Sequence, residues 1–302
     1  MRILSLLPAA TDIVASLGAY DQLVGRTHEC DWPAGVVDAI PVVTGSGLPE
    51  GLTSREINRA VGHRGSGIYR IDHDAVAALR PDLILTQDLC DVCAVSYETV
   101  NDAVRMMKLD TTVLSLQPTT MEGIFTAVTT VADVLGLRLD GERVVENARR
   151  RLSALPGPRD DGPRVLFVEW LDPLMPGGHW VPEQIAYAGG RSLLTSPGQH
   201  STPHERRTAV DLNPDAVVIG PCGYTVEQTR SELGTLSRLP GWDDVTAVRD
   251  GRVWIVDGPA YFNRPGPRVV DGAEQIAALL AGGIPGFGPG SGIGSAFGPD
   301  DR

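Results

Sequence analysis

The sequence predicts an α/β protein of two lobes, each built on a mainly parallel sheet. Three observations carry this prediction. Short apolar, β-rich runs alternate with helical periodicity along most of the chain, the pattern of parallel strands joined by crossover helices. The two halves repeat one unit, because ALRPDLILT at 78–86 resembles DLNPDAVVIG at 211–220. And 302 residues with a 42% hydrophobic share suffice for two lobes of about 100–150 residues with their own cores.

The first lobe spans residues 1–118. Its expected strands are Ile3–Leu6, Gln22–Gly25, Leu83–Thr86 and Thr112–Leu116, each short and apolar or β-branched. Its helices are expected near Thr11–Leu17, Asp74–Leu79 and Tyr97–Met107. Arg80-Pro81-Asp82 separates the second of these from the strand LILT, since the residue before a proline disfavours helix. The stretch GHRGSGIYRIDHD at 62–74, with His63 and His73, reads as solvated loop. Residues 119–157 are helical, in two stretches near Thr120–Leu135 and Gly141–Leu155. In the second, Val144, Val145, Ala148, Leu152 and Leu155 form one apolar stripe, and Arg149–Arg151 read as its solvated end. Pro156-Gly157-Pro158 stops it.

The second lobe spans 158–281, with strands Arg164–Glu169, Ala216–Ile219 and Val253–Val256. Its helices are Val181–Ala188, Thr225–Glu232 and Val269–Leu280. Residues 282–302 are rich in Gly and Pro without periodicity and are expected to be disordered, because they bury too little to offset their ordering entropy.

A net charge of −12 disfavours nucleic acid or anionic lipid as a partner. No run of 18 apolar residues is present, so no membrane insertion is expected. The opening MRILSLLPAATDIVASLG is broken by Pro8 and by Thr11-Asp12, and the first cysteine is Cys30. It therefore reads as a first strand and helix rather than a leader, which gives a cytoplasmic expectation. In that compartment cysteines point to metal, catalysis or packing rather than to disulfides.

Ligands of open α/β sheets bind outside the carboxyl ends of the strands, and the polar clusters fall there. Gln22–Gly25 leads to His28, Cys30, Asp31 and Trp32; LILT leads to Asp88, Cys90 and Cys93. Arg164–Glu169 leads to Trp170, His179 and Trp180. Ala216–Ile219 leads to Cys222 and Tyr224, and Val253–Val256 to Tyr261, Phe262 and Arg264. Hydrolytic and nucleotide-binding readings lack their motifs: no serine stands in G-x-S-x-G, and the glycine clusters lack strand-to-helix context. His200 and His204 are a weak metal pair in a segment that reads as loop.

RILSLLPAATDIVASLGAYDQLVG resembles the opening of the class III substrate-binding proteins of ABC importers, which serve cobalamin and ferric siderophores. The resemblance runs on through ALRPDLILT, RVLFVEWLDPLMPGGHWVPEQIAYAGGRSLL, AVDLNPDAVVIG and YFNRPGPRVVDGAEQIAALL, to about Leu280. It is closest to cobalamin-binding proteins of the vitamin B12 importer type. HECDW, QDLCDVCAVS and PGGHW look like a subgroup without a signal peptide.

The resemblance implies two Rossmann-like lobes joined by a long helix, for which GERVVENARRRLSAL is the candidate. It implies a binding protein rather than an enzyme, with cobalamin or a similar metal chelate in an inter-lobe cleft and an ABC permease and ATPase as possible partners. Trp32, Trp170, Trp180, Tyr224, Tyr261 and Phe262 would grip the ring, and Pro8, Ala9 and Thr11 would line one wall. Asp31, Asp88, Glu169 and His179 join the ligand set, and Arg264 would meet a carboxylate, amide or phosphate.

The thiols have three readings. Cys30, Cys90, Cys93 and Cys222, with His28 or His179, would hold a metal ion or an iron–sulfur cluster, or approach the metal of a chelate. Such a site would also suit a cytoplasmic thiolate protein or enzyme on the same scaffold. Alternatively, Cys90 and Cys93 are a strand–CxxC–helix redox pair, although Asp88 and Asp91 oppose the thiolate. Or the cysteines are small space-filling residues, a reading that suits Cys222, between Pro221 and Gly223, best.

Overall fold

The computed structural model describes residues 1–64, 69–87, 111–282 and 293–295. The chain divides into two compact units. The first comprises Met1–Leu52, Glu56–Pro118 and Glu122–Asn147; the second comprises Thr53–Arg55, Thr119–Met121 and Ala148–Arg302.

The first unit opens with β1 (Ile3–Ser5), α1 (Pro8–Ser16) and β2 (Leu23–Arg26). β3 (Thr44–Ser46), α2 (Ser54–Arg64), β4 (Tyr69–Ile71), α3 (His73–Leu79), β5 (Leu83–Thr86) and β6 (Thr112–Ser115) follow. α4 (Met121–Val134) and α5 (Arg138–Ser153) complete the series. Four strands form a parallel sheet in the order β2-β1-β5-β6. β1 and β5 lie inside it and are buried at every residue, as a parallel sheet covered on both faces requires. Pro8 begins α1 at a position where its missing N–H costs nothing. Asp72 caps α3, its Oδ1 accepting from Ala75 N–H at 2.9 Å.

One expectation changes here. The stretch at 62–74 is not wholly loop: α2 runs to Arg64, and Tyr69–Ile71 pairs antiparallel with Thr44–Ser46. The partner strand is remote in sequence, so local composition does not reveal it. The two helical stretches expected within residues 119–157 are α4 and α5, and α5 contains most of GERVVENARRRLSAL. Gly136, at φ +70°, ends α4 in a left-handed cap, with Leu137 N–H bonded to Ala132 O at 2.8 Å. The division between the units falls inside α5, between Asn147 and Ala148. The expected helix Tyr97–Met107 lies outside the described residues.

The second unit contains β7 (Arg164–Trp170), β8 (Met175–Pro176), α6 (Val181–Tyr187), β9 (Arg191–Ser192) and β10 (Ala216–Ile219). α7 (Val226–Ser231), β11 (Val253–Val256), α8 (Val269–Leu280) and β12 (Ile293–Ser295) follow, with single-turn helices in the connections. The sheet runs β12-β11-β10-β7-β8, with β9 also on β7. β11, β10, β7 and β9 are parallel; β8 and β12 are antiparallel. One face packs Leu166, Val168, Val217, Ile219, Val253 and Ile255 with Trp242. Arg151 of α5, expected in solvent, instead binds Glu274 of α8 at 2.8 Å and also reaches Asp271. The tail read as disordered contains β12, whose Ile293–Ser295 backbone pairs with the open edge of β11, where unsatisfied peptide groups favour a further strand.

The loops after β10 and β11 touch through backbone. A Cβ at Gly258 would stand 2.4 Å from the Asn263 side-chain amide and 2.5 Å from Gly220 O, so only glycine lets these two strand ends meet. Gly258→Ala is expected to destabilise the protein by about 1–3 kcal/mol through overpacking. A lower midpoint of chemical denaturation checks this; an unchanged midpoint contradicts the close approach.

Candidate functional site

In the first unit, polar groups gather past the ends of β1 and β2. Thr11 donates through Oγ1 to Ser5 Oγ at 2.8 Å, and its oxygen lies 2.9 Å from Cys30 Sγ. Ser5 Oγ donates onward to Leu7 O at 2.9 Å. Cys30 and Thr11 are buried, 4% and 0% exposed. Of the two described cysteines it is thus Cys30 that packs as a small buried residue, whereas Cys222, expected in that role, is half-buried. His28 Nδ1 is 2.7 Å from Thr44 Oγ1, and its Nε2 is 3.2 Å from Glu29. Asp31 is exposed, and Trp32 and Pro8 are half-buried. Ala9 and Thr11, expected to line a wall, face the core instead: the small buried residues of α1 let the helix lie close on β1.

The second unit holds a denser arrangement, organised by Glu169 near the end of β7. Its Oε2 accepts from Gly178 N–H at 3.1 Å and its Oε1 from Ser201 Oγ at 3.0 Å. Burial holds this carboxyl above the usual carboxylate range, against the pull of those two donors. The loop PGGHW and the segment Gln199–Ser201 are thereby fastened together. His179 N–H donates to Gln199 O at 2.6 Å, and Gly198 N–H donates to His179 O at 2.8 Å. A Cβ at Gly178 would lie 2.6 Å from Ser201 N, which explains the second glycine of PGGHW. His179 has φ +54°, a left-handed conformation costing a residue with a Cβ about 1–2 kcal/mol.

That conformation brings His179 Nε2 to 3.0 Å from His200 Nδ1. Burial, then the neighbouring His200, depresses the His179 pKa to about 4. The weak His200–His204 pair weighed against a loop reading does not form: His204 Nε2 is 3.3 Å from Thr202 Oγ1.

A second carboxylate, Glu232, gathers three donors. They are Ser54 N–H at 2.9 Å, Ser54 Oγ at 2.6 Å and the Tyr224 hydroxyl at 2.9 Å. The Tyr224 ring meets Trp170 edge-on at 5.4 Å between centroids. Trp170 Nε1 donates to Ser54 O at 3.2 Å. Trp170 is half-buried, with its N–H satisfied.

The other aromatics divide. Tyr261 is half-buried and carries the Arg268 guanidinium 4.7 Å over its ring. Trp180 and Phe262, expected to grip a ligand, are core residues at 4% and 1% exposure. Trp180 Nε1 donates to Phe262 O at 2.9 Å, and Phe262 packs on Phe167 at 4.9 Å. A strand-end position does not fix which way a side chain turns, and these two turn inward. Arg264, expected to meet a ligand anion, is also buried, at 7%, on the segment between Phe262 and α8. Asp88, Cys90 and Cys93 lie outside the described residues. Among the described residues no three His, Cys, Asp or Glu side chains gather as a metal shell.

His179 supplies a pH prediction. In the unfolded chain a histidine takes up its proton near pH 6.5, whereas folded His179 does so at about 4. Its contribution to stability is therefore complete above the unfolded value and is lost as pH falls toward the folded one. NMR titration should place the His179 midpoint at about 4, and His200→Ala should move it upward by removing a neighbouring positive charge. A midpoint at the ordinary histidine value would contradict the buried pair.

Comparison with known proteins places this architecture. The chain is 23% identical over 284 residues to the vitamin B12-binding protein of Vibrio cholerae, covering 92% of this chain and 88% of that one. It is 21% identical over 299 residues to an uncharacterized ABC transporter substrate-binding lipoprotein of Bacillus subtilis, covering 92% and 79%. The crystal structure of a periplasmic heme-binding protein from Pseudomonas aeruginosa superposes with a TM-score of 0.67 at 23% identity, over 92% of each chain. The family profile for periplasmic binding proteins matches residues 3–260. The chain thus belongs to the periplasmic binding protein family, with the class III fold of ABC-type substrate-binding proteins.

Proposed function

We propose that the protein is the substrate-recognition component of an ABC-type importer and that it takes a metal chelate built on a large flat ring, cobalamin first and heme second. The observation that carries this is Trp170 at the end of β7. Its N–H is already bonded to Ser54 and its ring stands at 64° to that of Tyr224. A half-buried indole held in one orientation offers apolar aromatic surface to a ligand. Such a surface suits the flat apolar part of a macrocycle and is poorly matched to a bare ion. Glu169 and Glu232 hold the surrounding loops in place, so the site needs little ordering on binding. Relatives that bind vitamin B12 and heme support the ligand class. By the same likeness, a membrane permease with its ATPase is the partner.

The test is titration of the purified protein with cyanocobalamin and, separately, with hemin, followed by absorption and calorimetry. Saturable one-to-one binding of either is expected. Trp170→Ala should weaken it about tenfold or more, roughly 1.4 kcal/mol. If neither chelate binds, or if Trp170→Ala binds like the parent, this reading is wrong.

A further inference from the structure

We infer that His179 and His200 form a two-imidazole site for a divalent transition metal. Their facing nitrogens, Nε2 and Nδ1, lie 3.0 Å apart with the rings at 81° and their centroids 4.7 Å apart. That centroid distance is shorter than two rings pointing head-on across the same gap would give. The nitrogen directions are therefore inclined rather than collinear. A tetrahedral ion with M–N bonds of about 2.0–2.1 Å holds two nitrogens about 3.3–3.4 Å apart, so the 3.0 Å pair opens by only a few tenths of an ångström to admit one. Imidazole nitrogen is a preferred donor for zinc, copper, nickel and cobalt.

The second observation is how firmly the two ligands are held. His179 keeps a left-handed backbone at φ +54°, and unfavourable backbone of this kind concentrates at functional sites. Two backbone hydrogen bonds lock it to Gly198 and Gln199, the residue before His200. Ser201, the residue after, is bonded to Glu169. Both imidazoles thus stand on one clamp anchored at β7. Water or a small anion would complete the coordination, since no third protein donor among the described residues joins the pair.

The site does not depend on the importer reading, and its test uses metal alone. Untagged protein is titrated with Co²⁺, followed by visible absorption and calorimetry. One ion per chain is expected, with ligand-field bands and without the charge-transfer absorption of a thiolate. His179→Ala and His200→Ala should each weaken binding about tenfold or more, because loss of a direct ligand costs at least as much as loss of its supporting partner. His200 is exposed, so its variant should keep the thermal midpoint and serve if His179→Ala misfolds. Unchanged Co²⁺ affinity in His200→Ala would overturn the assignment, as would thiolate absorption persisting in both variants.

Discussion

Burial of both sheet faces is the constraint on which the molecule depends. β5, β10 and β11 are buried at all four positions and β1 at all three. Their peptide groups are consumed by the ladders and their side chains by the core. A parallel sheet packed in this way has no room for chemistry along its length, so polar groups accumulate where the strands stop. β7 shows the transition within one strand: Val165–Val168 are buried, and Glu169 and Trp170 emerge into partial exposure. The first position past the core carries a carboxylate and the next an indole.

The two carboxylates then do similar work. A carboxyl group presents two acceptor oxygens, so it collects N–H and O–H donors from several directions. Glu169 draws in Gly178 and Ser201, and Glu232 draws in Ser54 and Tyr224. Connecting segments are thereby tied to the residues that follow the strands. The glycines at 178 and 258 permit the same compaction from the backbone side.

Much of this was legible in the sequence. The principal strands and helices of both units were expected within a few residues, because apolar runs and helical periodicity are local signals. What escaped notice depends on partners distant along the chain. The β3–β4 pair and the tie between Ser54 and Glu232 have no local signature. Strand-end logic located Trp170, Glu169 and His179, but it could not separate them from Trp180 and Phe262, whose rings turn into the core. The pairing of His179 with His200 has no local signature beyond a shared pattern: MPGGHW and SPGQHS each place a histidine shortly after a Pro-Gly turn. The CxxC motif lies outside the described residues.

The second unit is discontinuous in sequence, and this bears on the order in which it is made. Thr53–Arg55 belongs to it, yet its carboxylate partner Glu232 follows Ser54 by 178 residues. Closing a loop of that length costs on the order of 5 kcal/mol in chain entropy. On the ribosome, Ser54 emerges long before Glu232 exists, so the β1–β2–β5–β6 sheet can assemble while the Ser54 segment waits. The second unit is finished only when the middle of its main stretch, at Glu232, returns to collect a piece laid down near the beginning. Synthesis thus favours an N-terminal nucleus followed by late capture, and the waiting interval is when the nascent chain has most to gain from a chaperone.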